Sequence, residues 1–536
     1  MEALAQAYRK VELFFGNVKF AVVIIVIFAI TLGFGTFMES YHGTEYANRL
    51  VYKSIPFMGI QFFMFLSIFF ATTLRLPPKK HLYGFYTIHA GLITLFLGSF
   101  VTYEAGVDGS LTLIPNLPNR EISLNDDELK IGFPSKGKDA TLELPFRAGM
   151  TDLNVDYENI KIREFYPFAE DELSWTPVKI EGRGQSSARY RLYNKNFGEF
   201  ITLSLHPMSD FTNTTQLGLL NVHFMPKGLQ KCFAAQNSEG LIVWNGEDNG
   251  CISPGDVKKS KGVAGKQRIE LLYDGQKLAF LPDMSPLPLD EKMELNEKSP
   301  FRIFSKKLFE KSPHLFVFGD GASYFDKNTG KWESQEFKQD EEIALPWMGF
   351  KLKLLKYTED SFPTMTPKLV KPIQEGGQTT YGAMKAVRVE IDGQNFWVRS
   401  TDPVAFNRQG ERITFQIAKK VKTLKYEIVL DQFKMDTDPG TQTPASFESF
   451  VTLFKGNEGS EKHHVFMNNP LKYKDFTFYQ ASYFPTEQGP YGSILSVNYD
   501  PGRFWKYLGS LLLIFGSIWH YILRRKHLMK PGTTRA

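Results

Sequence analysis

Residues 20–37 read Phe-Ala-Val-Val-Ile-Ile-Val-Ile-Phe-Ala-Ile-Thr-Leu-Gly-Phe-Gly-Thr-Phe, without a single charge. A run of this length is about what a helix needs to cross the ~30 Å hydrocarbon layer of a bilayer. No small-x-small cleavage site follows it, so it reads as a retained anchor and not as a signal peptide. Three further apolar runs lie at 55–74, 82–102 and 504–523. The last carries Lys506 near one end, where a long side chain can reach the interface. Ahead of the first run, Leu4, Tyr8, Val11 and Phe15 recur at helical spacing. That spacing predicts a short amphipathic helix on the membrane surface.

The basic residues orient these spans. Arg9, Lys10 and Lys19 precede the first span, and Arg75, Lys79 and Lys80 fill the link between the second and third. Arg524, Arg525, Lys526, Lys530 and Arg535 follow the fourth. The positive-inside rule makes all three segments cytoplasmic. The expected organisation is then a cytoplasmic N-terminus over 1–19, three transmembrane helices over 20–102 (20–37, 55–74, 82–102), an extracytoplasmic domain over 103–503, a fourth helix over 504–523 and a cytoplasmic basic tail over 524–536. Both termini are inside.

Across the 536 residues, Lys plus Arg is 63 against 58 for Asp plus Glu, a near balance. No basic block interleaves with aromatics, so nucleic acid is not an expected partner. Mean hydropathy is −0.24, an average that hides the segregation of apolar residues to the two ends. The middle reads as mostly β. Val387, Val389 and Ile391 alternate with Arg388 and Glu390, and Asp392-Gly393 leads into Phe396-Trp397-Val398. This predicts a hairpin, because Asp-Gly accepts the positive φ angles of a tight turn. Phe350, Leu352 and Leu354 alternate likewise, as do Leu203 and Leu205. The fold class is therefore a four-helix membrane part with a large domain of antiparallel sheets. Some 400 residues exceed one small sandwich, so two subdomains are expected. Polar, Pro- and Lys-rich stretches near 253–266 and 281–300 are the candidate separators.

The two cysteines, Cys232 and Cys251, form no C-x-x-C. An extracytoplasmic location would preserve a disulfide between them; two separate buried thiols are the alternative. P-loop, H-E-x-x-H, G-x-S-x-G and dinucleotide fingerprints are absent from the sequence. One residue stands out. His89 lies inside the third span, about seven residues and so roughly 10 Å from its cytoplasmic end. Ionisable groups inside spans are costly and face a partner, a cavity or a cofactor. A neutral imidazole can ligate haem iron, or it can hydrogen-bond across a helix interface. His520, in the fourth span and the same leaflet, could clamp a cofactor with His89 or reach the interface. His42 and the adjacent His463 and His464 read as solvated, the latter two on opposite faces of a strand.

Several segments carry a resemblance. They are Gly35-Thr36, His89-Ala-Gly-Leu-Ile-Thr-Leu-Phe-Leu-Gly98, Leu430-Asp-Gln-Phe433 and Asp438-Pro-Gly-Thr-Gln-Thr-Pro-Ala-Ser-Phe447. Met467-Asn-Asn-Pro-Leu-Lys-Tyr473, Phe476-Thr-Phe-Tyr-Gln-Ala-Ser-Tyr483 and Asp500-Pro-Gly follow in order. Together they resemble the ResB family of System II cytochrome c biogenesis; residues 130–380 match no pattern. The resemblance implies a subunit of the bacterial cytoplasmic (inner) membrane that works with a CcsA-like membrane protein. The pair would move haem b across the membrane and present it to apocytochrome c for attachment at C-x-x-C-H, with a thioredoxin-like protein keeping thiols reduced. Catalysis would belong to the complex, with this chain as scaffold and chaperone. The family's third-span histidine, a haem ligand paired with a histidine of the partner, corresponds to His89; His520 has no such counterpart. The Trp-rich haem-handling motif is absent here, which places it on a separate chain. Two other readings stay open on the residues alone: a membrane-anchored binding or assembly module without cofactor, and a b-type electron-transfer protein ligated by His89 and His520.

Overall fold

The computed structural model describes residues 2–178, 185–234, 240–245, 251–252, 257–261, 267–273, 275–281, 287–290, 294–296, 298–375, 378–438, 440, 444–456, 459–486 and 489–528. Helix α1 spans Glu2–Phe15, α2 Val18–Ala47, α3 Ile55–Thr73 and α4 Tyr83–Ala105. A short α5 covers Gln230–Ala234, and α6 covers Arg503–Leu528. Among the described residues, four stretches are long and apolar enough to cross a membrane: Val18–Tyr52, Ile55–Thr73, Lys80–Ala105 and Arg503–Arg525. Their outward side chains, such as Ile30, Phe37, Leu511 and Ile514, are exposed and suited to lipid. Asn17 and Ser54 cap α2 and α3 by accepting from the backbone N–H of Lys19 and Phe57. These bonds satisfy donors that have no partner within the helix. The apolar stripe of α1 lies on α3, with Tyr8 and Phe15 both against Phe70.

The closest helix pairing joins α4 to α6. Gly84, Gly91 and Gly98 of α4 recur every seventh residue, as do Gly502, Gly509 and Gly516 of α6. A Cβ on Gly91 would stand 2.8 Å from the Gly509 carbonyl oxygen, and one on Gly509 2.7 Å from that of Gly91. One on Gly516 would stand 2.8 Å from the Ile88 nitrogen. Only glycine permits such an approach. Between helices in lipid, close backbone packing supplies the attraction that water-driven burial cannot.

The chain divides into two compact units, Met1–Glu170 with Pro367–Ala536, and Asp171–Thr366. In the first unit a ten-stranded sheet contains, in order, Ser460–Phe466, Pro444–Phe454, Glu411–Thr437, Pro118–Phe133, Val107–Leu113, Gly489–Tyr499, Phe476–Thr486 and Leu471–Tyr473. Val404–Arg408 and Lys138–Glu143 pair alongside. The strand leaving α4 is antiparallel to the strand entering α6, with Val107 opposite Tyr499. The α4–α6 pairing therefore continues directly into the sheet. In a second sheet Met384–Ile391 pairs with Gln394–Arg399, Ile391 opposite Gln394. Asp392 and Gly393 adopt φ 49 and 80, the positive angles of the expected turn. Val387, Val389 and Ile391 are fully buried, so the alternation does mark a core face.

The second unit is also built of sheets. Ser187–Tyr193 pairs with Gly198–Ser204 and Lys351–Thr358, placing Leu203, Leu352 and Leu354 in one core. Among the described strands of this unit, one pairing departs from the antiparallel expectation: His314–Val317 runs parallel to Leu220–Phe224. The expected separators are also not boundaries. Much of 253–266 and 281–300 lies outside the described residues, and Val257–Lys261 and Pro288–Leu289 are strands of one four-stranded sheet in this unit. A strand with Lys258, Lys259 and Lys261 exposed has the composition of a linker. Polarity alone does not separate the two.

Candidate functional site

His89 sits on the second turn of α4, half-buried. Its Nδ1 is 3.0 Å from the Phe85 carbonyl oxygen, and its ring lies 3.8 Å from that of Phe85. The Arg75 guanidinium stands 4.7 Å from the Phe85 ring centroid. Tyr86 Oη donates to the Arg75 carbonyl, which folds the short α3–α4 link against α4. A carbonyl only accepts, so Nδ1 must carry the proton. In the neutral ring the lone pair is then on Nε2, which has no hydrogen-bond partner among the described residues. An imidazole held this way by its other nitrogen is the usual form of a metal-ligating histidine.

His520 is placed differently. Its backbone packs against Gly84 on the α4–α6 seam, and its Nδ1 is buried without a hydrogen-bond partner among the described residues. His89 is five residues beyond Gly84, roughly 140° around α4 at ~100° per residue. The two histidines thus lie on different faces, and no contact joins them among the described residues. His42 is not a free solvated side chain. Its Nδ1 is 2.7 Å from the Pro372 carbonyl oxygen and its ring 5.0 Å from Tyr46, because α2 kinks at Gly43 (φ 84). His464 stacks on Phe450 at 4.3 Å and lies 3.0 Å from Glu448, whereas His463 lies beside Glu461 at 3.5 Å. Cys232 and Cys251 form a disulfide, Cα atoms 5.2 Å apart.

Two features escape a residue-by-residue reading. The first is an ion cluster where α2 meets the sheets. Arg49 pairs with Glu45 at 2.9 Å and with Asp127. Lys385 reaches Glu45 at 2.7 Å and Asp127 at 3.4 Å, and Lys419 reaches Asp127 at 3.0 Å. The side chains of Arg49 and Asp127 are 1% and 2% exposed. Burial pushes the Lys385 ammonium below the ordinary lysine range, against the pull of Glu45 and Asp127. The Phe146 ring covers the guanidinium at 4.3 Å. The sequence signal was the i, i+4 pair Glu45–Arg49 just past a span, which nothing local distinguishes from a surface pair. The second feature, in the other unit, is a histidine pair: His223 Nε2 is 2.9 Å from His314 Nδ1, and His314 Nε2 is 2.9 Å from Ser312 Oγ. Burial, and then the His314 charge, push His223 down to about 4.

At the entry to α6, Asp500 accepts from Thr102 Oγ1 at 2.6 Å and from the Gly502 N–H at 3.1 Å, and pairs with Lys506 at 2.6 Å. Burial alone would raise its carboxyl, but the Lys506 and Thr102 hydrogen bonds hold it below the usual aspartate value. The motif residues farther back also have structural work. Asp431 sits at a bulge between Leu430 and Gln432, its carboxylate accepting from Thr452 at 2.7 Å. Ser449 donates to Gln480 at 2.6 Å within a polar group that includes the buried Ser493. Gly35 gives room to the Tyr52 ring, which a Cβ would approach to 2.7 Å.

Residues 392–492 match the model of the ResB-like family. That segment begins at the Asp392-Gly393 turn and runs through the sheet to the strand that enters α6; His89 lies outside it. Over 100 residues, 18% of this chain, the sequence is 34% identical to Protein NrfI of Wolinella succinogenes. The match spans 11% of that protein's length. The bulge at Asp431 and the Ser449–Gln480 pair of the Ser449–Gln480–Ser493 group fall inside the segment that is similar to the ResB-like family.

Proposed function

We propose that the protein is a membrane subunit of a cytochrome c assembly complex, in which His89 binds haem from the cytoplasmic leaflet and a CcsA-like membrane protein supplies the opposing ligand. The ResB-like segment supports the assembly role. The observation that carries the haem reading is the free Nε2 of His89, fixed as the unprotonated nitrogen by the Phe85 carbonyl. The donor set fits: one neutral imidazole, set on a rigid helix and off the α4–α6 seam, leaves room for a second ligand from outside this chain. His520 does not complete the pair. When bound, haem supplies the vinyl groups to which the thiols of C-x-x-C-H add.

This chain's residues would orient and transmit. Phe85 and Arg75 fix the His89 ring. The glycine seam couples α4 to α6 with little play, and Asp500 anchors both to the outer sheet. By the placement of basic residues, that sheet faces the apocytochrome on the extracytoplasmic side and both termini are cytoplasmic. The test is co-purification with the CcsA-like protein. His89→Ala should lose most of the haem absorbance, and added imidazole should restore it. Unchanged haem content in His89→Ala would remove the reading.

A further inference from the structure

A cavity of about 1150 Å³ opens at the level where α3 begins and α4 ends. The α2–α3 turn, the last turn of α4 and the neighbouring strands of the large sheet wall it. Arg49, Lys53, Arg147, Lys420 and Lys422 line it, against Glu104, Asp108 and Asp126. Some of these charges are already committed. Arg49 is held by Glu45 and Asp127, Lys420 by Glu143, and Asp108 accepts from Asn498 at 2.6 Å. Lys53, Arg147 and Lys422 have no carboxylate partner among the described residues. Aromatic faces position two of them: Lys53 lies 5.2 Å from the Phe146 centroid and Lys422 5.8 Å from that of Phe476. Against these three stand Glu104 and Asp126, and Asp126 also faces Lys420, so positive charge is left in excess.

The mouth is apolar, with Ile55 79% exposed and Tyr103 52% exposed. Both lie at ends of apolar spans, the depth at which lipid headgroups meet hydrocarbon. Among the described residues no histidine, cysteine or methionine lines the cavity. Excess positive charge inside, an apolar lip outside and headgroup depth together specify an anionic amphiphile. We propose that this cavity is a binding site for the headgroup of an anionic phospholipid, its phosphate on Lys53, Arg147 and Lys422 and its acyl chains leaving over Ile55.

The full chain, reconstituted in vesicles of equal parts phosphatidylglycerol and phosphatidylethanolamine and re-extracted in mild detergent, should retain phosphatidylglycerol on native mass spectrometry. A basic side chain near an anionic membrane surface is worth about five-fold in affinity. The triple variant Lys53→Gln, Arg147→Gln, Lys422→Gln should therefore lose the retained lipid by roughly ten-fold or more. A control triple at Lys195, Lys277 and Lys338 should keep it, and circular dichroism should show both variants folded. Equal retention of the two lipids, or undiminished retention in the first triple, would overturn the proposal. So would binding of inorganic phosphate by lipid-free protein at the same three residues without any retained lipid, since that is the mark of a plain anion site.

Discussion

Where α2 meets the sheets, the contact is made by charge: Arg49, Lys385 and Lys419 closed over Asp127 and Glu45 under an aromatic cover. Where α4 meets α6, it is made by the absence of side chains, with glycine backbones stacked at seven-residue intervals. The first junction lies at the edge of the membrane, where ions can be gathered and then sealed from water. The second lies within apolar spans, where a charge would be costly and attraction must come from close approach. These two neighbouring attachments should therefore fail differently. An ion cluster fails when one member is removed, and a glycine seam fails when something is added.

The largest expected effect follows from the first failure. Asp127→Ala leaves Arg49 and Lys385 buried with only the half-exposed Glu45 between them. It should destabilise the protein by about 3–5 kcal/mol in denaturant unfolding. The joint change Arg49→Met with Asp127→Leu should cost much less, because the charge and its partner leave together. Equal costs for the single and joint changes would show that shape, not charge, holds this junction. At the seam, Gly91→Leu should cost about 1–3 kcal/mol by overpacking and abolish a cysteine crosslink engineered between α4 and α6. Gly33→Ala and Gly59→Ala, where a Cβ would meet nothing within 4 Å, should leave both measurements unchanged.

A smaller effect sits where the two kinds of contact meet, at Asp500. Asp500→Asn should cost about 1–2 kcal/mol by loss of the charged bond to Lys506. The carboxyl is depressed in the fold, so its contribution is present above the ordinary value of 3.8 and disappears as pH falls below it. Trp505 fluorescence reports the loosening, and an acid response of the same size in Asp500→Asn would exclude Asp500 as its source. The smallest effect belongs to the other unit, which shows neither device among the described residues. His223 is held down to about 4 from 6.5, so the unfolded chain takes up the proton first as pH drops. Stability should fall by on the order of 1 kcal/mol between those values, and His223→Gln should flatten that slope.

Much of the fold was legible because it is locally encoded. The hairpin at Asp392-Gly393 follows from alternation and from two residues tolerant of positive φ. The spans follow from apolar run length. The glycine seam was in principle legible too, since Gly84, Gly91, Gly98, Gly502, Gly509 and Gly516 keep one period, but a period names a face and not the helix it meets. His89 stood out from its span, yet the Phe85 carbonyl that sets its tautomer is a matter of side-chain rotation. The Cys232–Cys251 disulfide and the parallel strand beside His314–Val317 needed three-dimensional proximity that no spacing specifies.

Local sequence was enough to mark four apolar helices fit to cross a membrane and sheets between them, although it ended the first at 37 where the helix runs on to Ala47. Those properties depend on hydropathy and backbone preference within a few residues. It took the folded chain to bring Thr102 to Asp500 across 398 residues, to seal Arg49 and Asp127 from water, and to turn His520 but not His89 toward the seam. A charge or an imidazole takes its energy from the dielectric and the partners around it, and distant parts of the chain supply both.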